Sequence, residues 1–154
     1  MSITIESVEN RKDLLAFIEI PWRLYKKNPA WVPPLRRELR QTLNPEQNHF
    51  LRSGPHRLFL ARRDGEPVGR VLAGIDRKTN EAKGHQEGYL SLFEAVADYE
   101  VSRALLDMAF DFLRANGAHA VRGPVSPTNG DDYRGFLLND FQRPPVLMNS
   151  YNPP

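Results

Sequence analysis

The clearest hydrophobic pattern in the chain runs from Tyr89 to Gly117. From Tyr89 to Val96 the apolar residues first alternate with polar ones and then become continuous, over the length of a β-strand. After Asp98 the apolar spacing becomes that of a helix. The side chains expected on one helical face are Val101, Leu105, Met108 and Phe112, with Ala104, Ala109 and Leu113 widening the stripe.

Two residues predict where this helix begins and ends. Asp98 is a favourable N-cap, and Gly117 supplies a left-handed stop. The turn between strand and helix points N–H groups at whatever binds there, so Ala97 to Ser102 is the first candidate phosphate site. The turn lacks the glycine that lets a backbone close tightly on phosphate.

The first third of the chain predicts a strand and then helices. Residues 2–8 alternate imperfectly and indicate an opening strand. Helical spacing follows from Lys12 to Lys27, with Asn10 or Ser7 as its cap, and Pro21 predicts a break into two short helices. Another helix is expected over residues 35–43, started by one of the two prolines before it, and residues 44–55 are predicted to be a loop whose Phe50 and Leu51 pack under the core.

An Asp-Gly turn between two apolar runs predicts a β-hairpin. The runs are Arg57 to Arg63 and Pro67 to Asp76, and the turn is Asp64-Gly65. A loop over residues 84–88 leads into the strand that starts at Tyr89. We therefore expect an antiparallel meander that feeds the strand and helix described above.

The segment after Gly117 predicts one more strand and then turns. Ala118 to Val125 is expected to pair in parallel with the strand from Tyr89, because a helix lies between them. Residues 126–135 have turn chemistry throughout, and residues 144–148 are expected to form a terminal extended segment. The apolar anchors expected in this region are Phe136, Leu137, Leu138 and Phe141.

Composition restricts the class of protein. The chain has 154 residues, which corresponds to a single domain over 1–154, and its apolar fraction of 40% is ordinary for a globular protein. No apolar run approaches the roughly 20 residues of a membrane span, so no membrane partner is expected, and the N-terminus does not resemble a signal peptide. With zero cysteines there are no disulfides or thiolate metal sites, and a cytoplasmic location is the default expectation.

The order of elements resembles that of the GCN5-related N-acetyltransferase (GNAT) superfamily. Four stretches are similar to a bacterial group of GNAT-like proteins: PWRLYKKNPAWVPPL at 21–35, FLARRDGEPVGRVLAGIDRKTNE at 59–81, RGPVSPTN at 122–129 and PPVLMNSYNPP at 144–154. The resemblance implies an α/β (α+β) fold with a mixed, mostly antiparallel central sheet flanked by helices. In that group the pattern continues beyond residue 154, so we expect the C-terminal part of the fold to be missing.

The resemblance also implies a cofactor, acetyl-CoA or another acyl-CoA, and an amine acceptor. In GNAT enzymes the pyrophosphate rests on a Gln/Arg-x-x-Gly-x-Gly/Ala loop. Glu100 and Ser102 stand here where the glycines belong, so this cofactor motif is degenerate. The residues implied to contact the cofactor are Val96, Asp98, Glu100, Val101, Ser102 and Arg103.

Two side chains are candidates for acid–base chemistry. Glu94 ends the central strand, where a carboxylate can take a proton from an amine through water; the alternative is an outward-facing carboxylate at the rim. Tyr133 is a candidate proton donor or stacking group, and the alternative is an ordinary loop tyrosine. Trp22, Tyr25 and Trp31 form either a ligand-holding aromatic cluster or a seal over the core.

Other site classes have weaker support. The four histidines have no ligand-like spacing, so no metal site is expected. The arginines of the hairpin suggest a basic face, but strand alternation puts Arg57 and Arg63 on one side and Arg62 on the other, which makes nucleic-acid binding a remote hypothesis.

Two functional hypotheses therefore stand. The first is acyl-CoA-dependent N-acyl transfer, in which an amine attacks the thioester directly. The second is a catalytically inactive GNAT-like module that forms a homodimer through an exposed sheet edge or supports a partner domain.

Overall fold

The computed structural model describes residues 2–144 and residue 152. The predicted terminal segment at 144–148 therefore lies, apart from Pro144, outside the described residues. The elements in chain order are β1 (Ile3–Ser7), α1 (Arg11–Tyr25), α2 (Arg36–Thr42), α3 (His49–Arg52), β2 (His56–Arg63), β3 (Glu66–Gly74), α4 (Arg77–Lys83), β4 (Glu87–Ala95), α5 (Tyr99–Ala115) and β5 (Ala120–Arg122).

Within the described residues the strands form one five-stranded sheet in the order β1-β2-β3-β4-β5. The pairs from β1 to β4 are antiparallel, and β5 pairs in parallel with β4. The expectation of a mixed, mostly antiparallel sheet is confirmed. The hairpin turn at Asp64 and Gly65 joins β2 to β3 as predicted, and both residues have the positive φ that such a turn requires.

Helix α5 covers one face of the sheet. Asp98 caps its N-terminus, and Gly117 follows its end with φ +87°, so both predicted boundaries are confirmed. The predicted stripe was wrong at Met108, which is 41% exposed. The fully buried residues of α5 are instead spaced four apart, so they form one narrow stripe along the helix face that packs on the sheet. They are Val101, Leu105, Ala109 and Leu113.

Helix α1 packs on the opposite face and continues through Pro21, so the predicted break was wrong. A proline inside a helix has no N–H for the carbonyl four residues earlier, which here belongs to Phe17. That carbonyl accepts a hydrogen bond from Arg70 Nη1 at 2.9 Å instead. Because Phe17, Ile18 and Ile20 are fully buried, tertiary packing also holds the helix together across the proline.

Three short helices complete the fold, and they agree only in part with the sequence predictions. Helix α2 begins after the proline pair, as predicted. Residues Phe50 and Leu51 are buried as expected, although they lie in helix α3 rather than in a loop. Helix α4 was not predicted; Asp76 caps its start and Gly84 ends it with φ +65°. It contains no buried residue, so it leaves no hydrophobic period in the sequence.

The chain after β5 follows the predicted turn chemistry. Its described residues contain no helix or strand after Arg122. The expectation of four apolar anchors was wrong for Phe136 and Leu138, which are 51% and 86% exposed, because this part of the chain runs over the surface and does not enter the sheet. Leu137 and Phe141 are half-buried.

Candidate functional site

Strand β4 contains an extra residue near its middle. Arg70 on β3 pairs with Glu94, whereas Leu72 pairs with Ser91, so three steps along β4 oppose two steps along β3. Leu92 has φ +51°, a left-handed conformation that is uncommon outside glycine. This is a β-bulge, a feature that re-aims side chains and is frequent next to functional sites.

The parallel partner of β4 is lost just before this bulge. Pairing with β5 covers Glu87 to Tyr89. The chain then touches β4 once more, where the Val125 N–H donates to the Leu90 carbonyl at 2.9 Å and the Ser91 hydroxyl donates to the Val125 carbonyl at 2.7 Å. Beyond that point the chain after β5 contacts β4 through side chains: Tyr133 packs against the core cluster that contains Leu92, and the Phe136 ring lies 6.3 Å from the Phe93 ring. The bulge therefore lies where the pairing of β4 with β5 has already ended.

A buried ion pair lies beside the bulge on the α1 face. Arg70 is 1% exposed and Glu94 15%, and two nitrogens of the guanidinium donate to Glu94 Oε2 at 2.5 and 2.7 Å. The third guanidinium nitrogen donates to the Phe17 carbonyl, and the guanidinium lies 5.1 Å from the centre of the Phe17 ring. Glu94 is thus turned into the protein and does not project outward at the rim.

The remaining oxygen of Glu94 is chemically available. Both hydrogen bonds from Arg70 end on Oε2, and Oε1 has no hydrogen-bond partner among the described residues. Burial raises the pKa of Glu94, and the Arg70 charge and hydrogen bonds offset part of that rise. A raised pKa brings the carboxylate closer to the range in which a general base is effective near neutral pH.

Tyr133 approaches the same pair from the loop after β5. It packs against the core cluster that contains Phe17 and Leu92, with φ +54°. Burial raises the pKa of its phenol to about 12, and the nearby charges of Arg70 and Glu94 act on it in opposite directions. The structure therefore places Tyr133 where the charges of Arg70 and Glu94 act on its phenol, which stays protonated at neutral pH.

The predicted cofactor turn at the start of α5 has its donors engaged within the protein. The Glu100 N–H donates to Asp98 Oδ1 at 2.9 Å, and the Ser102 N–H donates to the Asp98 carbonyl at 3.2 Å. The Val96 N–H donates to Val68 on β3. The side chain of Val101 is fully buried, so its contribution to any ligand would be through its backbone.

Charged side chains surround the same turn. Asp98 pairs with Arg63 at 2.5 Å, and that hydrogen bond, helped by the amides of Glu100 and Val101, lowers the pKa of Asp98. Glu100 is exposed, and Arg103 lies 3.6 Å from Asp107 on the next turn. The helix N-terminus is thus covered by the chain's own carboxylate, which takes the place an anion would occupy.

The aromatic cluster assembles next to α1 as the sequence suggested. The Trp31 ring lies edge-on to Trp22 at 5.6 Å and to Tyr25 at 5.7 Å. The guanidinium of Arg36 covers Trp22 at 4.1 Å and is held there by Glu19. Tyr25 is buried and the two tryptophans are half-buried, so the cluster seals the core and also presents aromatic edges to solvent.

The role of Arg70 was not predicted: it is one of the hairpin arginines for which a basic face was suggested. The available signal was a single charge inside the apolar run of β3, because such a residue needs a buried partner. The predicted division of the other arginines is confirmed: Arg62 pairs with Glu6 and Asp13 near α1, whereas Arg63 and Arg57 contact α5. Among the described residues no group of His, Asp and Glu side chains could hold a metal ion.

A separate depression of about 690 Å³ lies at the other end of β4, and its lining includes Asn80, His85 and His119. It contains neither Glu94 nor Tyr133.

Known bacterial proteins match this chain in sequence over part of their own length. No protein-family model matches the chain. It is 34% identical over 148 residues to Protein YghO of Escherichia coli (strain K12), covering 94% of this chain and 37% of that protein. It is 35% identical over 153 residues to the bacterial ceramide synthase of Caulobacter vibrioides (strain NA1000 / CB15N), covering 98% of this chain and 39% of that protein. The chain thus spans about two fifths of the length of these curated relatives.

A solved tandem GNAT protein from the clavulanic acid biosynthesis pathway aligns with 76% of this chain and 34% of its own length, with a TM-score of 0.58 and 13% identity. The predicted GNAT fold is confirmed by this likeness. No helix among the described residues is long and apolar enough to cross a membrane.

Proposed function

We propose, on the premise that this chain has the GNAT fold, that it takes part in acyl-CoA-dependent N-acyl transfer. In this reaction the nitrogen lone pair of an amine attacks the carbonyl carbon of the acyl thioester. The amine loses a proton, the carbon–sulfur bond breaks, and the products are an amide and the free thiol of CoA. The chain has to supply a proton acceptor for the amine, a donor near the departing sulfur, and positions for both substrates.

The observation that carries this proposal is the buried carboxylate of Glu94 beside the β4 bulge. Glu94 Oε2 is held by Arg70, while Oε1 has no partner among the described residues. An oriented carboxylate with a raised pKa can accept the amine proton through an intervening water. Arg70 is a positioning residue in this proposal, because it is buried and acts through the hydrogen bonds that hold Glu94.

Tyr133 supplies the donor. A phenol with a pKa of about 12 remains protonated at neutral pH and is a weaker acid than a thiol. Its role is therefore to donate a hydrogen bond to the sulfur as negative charge develops there. The proton that completes the free thiol comes from solvent or from the protonated Glu94.

The name of the Caulobacter relative suggests the acceptor class. A ceramide is the amide of a fatty acid and a long-chain amino alcohol, so a ceramide synthase forms the bond that this chemistry forms. The aromatic cluster of Trp22, Tyr25 and Trp31 lies on the α1 side, which is the side that Glu94 faces. We propose a long-chain amine as the acceptor and a fatty acyl-CoA as the donor.

The test is amide formation by the purified chain with palmitoyl-CoA and sphinganine, followed by mass spectrometry and by colorimetric detection of released thiol. Glu94→Gln is expected to lower the turnover rate by at least about 10²-fold, because it removes the base. The matched control is Glu81→Gln on the exposed surface of α4, which should retain full activity. Turnover that Glu94→Gln leaves unchanged would refute the proposed base.

A second candidate function is favoured by one observation, the carboxylate of Asp98 over the α5 amides. This contact favours a GNAT-like module that does not bind CoA. Its exposed edge strand β5 would then pair with a second copy or a partner domain.

Calorimetric titration of CoA separates the two candidates. Asp98→Asn keeps a good N-cap but removes the negative charge and releases Arg63, so it should strengthen CoA binding if the turn is a phosphate site. CoA binding by Arg103→Ala, which removes a cation beside the same turn, is compared with that of the wild type. Absence of binding to both wild type and Asp98→Asn, together with a dimer in sedimentation, would favour the inactive module.

A further inference from the structure

The connection from α1 to α2 displays aliphatic and cationic side chains together. Val32 and Leu35 are 60% and 63% exposed. The stretch from residue 26 to residue 40 carries five cations and one carboxylate. Those cations are Lys26, Lys27, Arg36, Arg37 and Arg40, and each of them is exposed. This stretch is called the basic-aliphatic segment below.

The backbone next to the two exposed aliphatic side chains is anchored to the protein. Ala30 is buried, its N–H donates to the Asn28 side chain at 2.9 Å, and the Trp31 N–H donates to the Asn28 carbonyl at 3.2 Å. The Trp31 ring is fixed against Trp22 and Tyr25. With the aromatic residue held inward, Val32 and Leu35 are left pointing to solvent by a segment that is anchored on its inner side.

The cations of the segment are mostly not neutralised by the protein. Arg36 is paired with Glu19, and the charge of Arg40 also acts on Glu19. Lys26, Lys27 and Arg37 make no ion pair with the described residues. The segment therefore combines two exposed aliphatic side chains with an excess of positive charge.

We propose that the basic-aliphatic segment is a peripheral docking surface for an anionic lipid bilayer. Two aliphatic side chains inserted among the headgroups, with cations beside anionic lipids, supply the two signals that reversible surface binding needs. A protein partner fits less well, since a stable protein interface buries above about 1,000 Å², far more than two such side chains provide.

This inference departs from the expectation of no membrane partner, which rested on the absence of a spanning apolar run. A surface contact requires no such run. The inference is also independent of the proposed acyl transfer, because vesicle binding is measured without acyl-CoA or an amine.

The test is cosedimentation of the chain with vesicles of phosphatidylcholine alone and with a minority of phosphatidylglycerol. Binding is expected with the anionic vesicles and should weaken at high salt. Lys26→Glu/Lys27→Glu should lower the partition coefficient by at least about tenfold, since each cation near an anionic surface contributes roughly fivefold. Val32→Ser/Leu35→Ser should lower it about tenfold as well.

Matched control variants distinguish binding through this segment from nonspecific attraction of the whole protein to anionic vesicles. Lys78→Glu/Lys83→Glu on α4 changes the net charge equally, and Met108→Ser/Val121→Ser removes two other exposed apolar side chains. Both should bind vesicles as wild type does, and circular dichroism verifies the fold of every variant. Absence of vesicle binding, or equal losses in segment and control variants, would overturn the proposal. So would retained vesicle binding in Val32→Ser/Leu35→Ser with loss of self-association in sedimentation velocity, which would indicate a protein interface.

Discussion

The two faces of the sheet are built on different principles. On the α5 face, buried aliphatic and aromatic side chains meet, and no buried charge lies among the described residues there; the charged residues of the helix stay at its margins. On the α1 face, a nearly inaccessible arginine and a largely buried carboxylate lie within the packed core. The α5 face is held by hydrophobic burial, whereas the α1 face also depends on one specific set of polar contacts.

The difference shows where geometry is most constrained. A buried Arg70 without a partner would destabilise the fold. The positions of Glu94 and the Phe17 carbonyl are therefore constrained by the need to accept its hydrogen bonds. The Phe17 carbonyl can accept the hydrogen bond from Arg70 because Pro21 removes its helical donor. A proline in α1, an arginine on β3 and a carboxylate on β4 thus form one connected unit next to the bulge.

The largest expected effect is from Arg70→Met. It leaves Glu94 buried without its partner and the Phe17 carbonyl without a donor, so the free energy of unfolding should fall by about 3–5 kcal/mol. Urea denaturation followed by circular dichroism measures this change.

The double variant Arg70→Met/Glu94→Leu tests the cause. It removes both charges, so it should recover much of the loss. A double variant as unstable as the single one would show that packing, and not the unpaired carboxylate, sets the cost.

On the α5 face, Leu105→Ala should lower the free energy of unfolding by about 2–5 kcal/mol, because the side chain is fully buried. Met108→Ala on the same helix should change it by less than about 0.5 kcal/mol, since Met108 is 41% exposed. Both values come from the same urea titration. Equal losses from the two variants would contradict the buried stripe described for α5.

Pro21→Ala tests whether the hydrogen bond from Arg70 replaces the helical bond that the proline removes from the Phe17 carbonyl. The backbone N–H restored at position 21 can bond the Phe17 carbonyl, so Arg70→Met should cost about 1 kcal/mol less in that background. A double-mutant cycle from urea denaturation measures this coupling. A coupling near zero would mean that the contact from Arg70 to Phe17 does not replace the missing helical bond.

At neutral pH the smallest effect is expected from Tyr133→Phe, which removes a phenol that is un-ionised there. The raised pKa means that the folded state favours the neutral phenol, so stability is retained below about pH 10 and is lost as pH rises toward 12. Tyr133→Phe should lessen this alkaline loss, and tyrosinate absorbance should show one fewer late-titrating group. A Tyr133 phenol that titrates near its ordinary pKa would show that it is not buried as described.

Much of the fold could be predicted from local patterns. The hairpin at Asp64 and Gly65, the caps of α5 and the parallel return of β5 were all predicted from the sequence. These features depend on residues close together in sequence or on chain connectivity, so their signals are local. Helix α4 was not predicted although Asp76 and Gly84 are local signals for its ends, because a short helix that buries nothing has no hydrophobic period to link them.

The candidate site was predictable only in part. Glu94 and Tyr133 were both identified in the sequence, but the contact that orients Glu94 was not, since Arg70 lies 24 residues away along the chain. At the α5 turn, the sequence showed that glycines are missing, and the structure added that Asp98 and Arg63 cover the helix N-terminus.

The sequence by itself determined the element types, most of their boundaries and the residue types available for chemistry, because hydrophobic period, caps and turn residues act over a few positions. Only the tertiary structure decided that α1 passes through Pro21, that Arg70 is buried and that Glu94 keeps one oxygen without a partner in the described part of the chain. These outcomes depend on contacts between distant segments, where the burial of one polar group selects the partner that satisfies it.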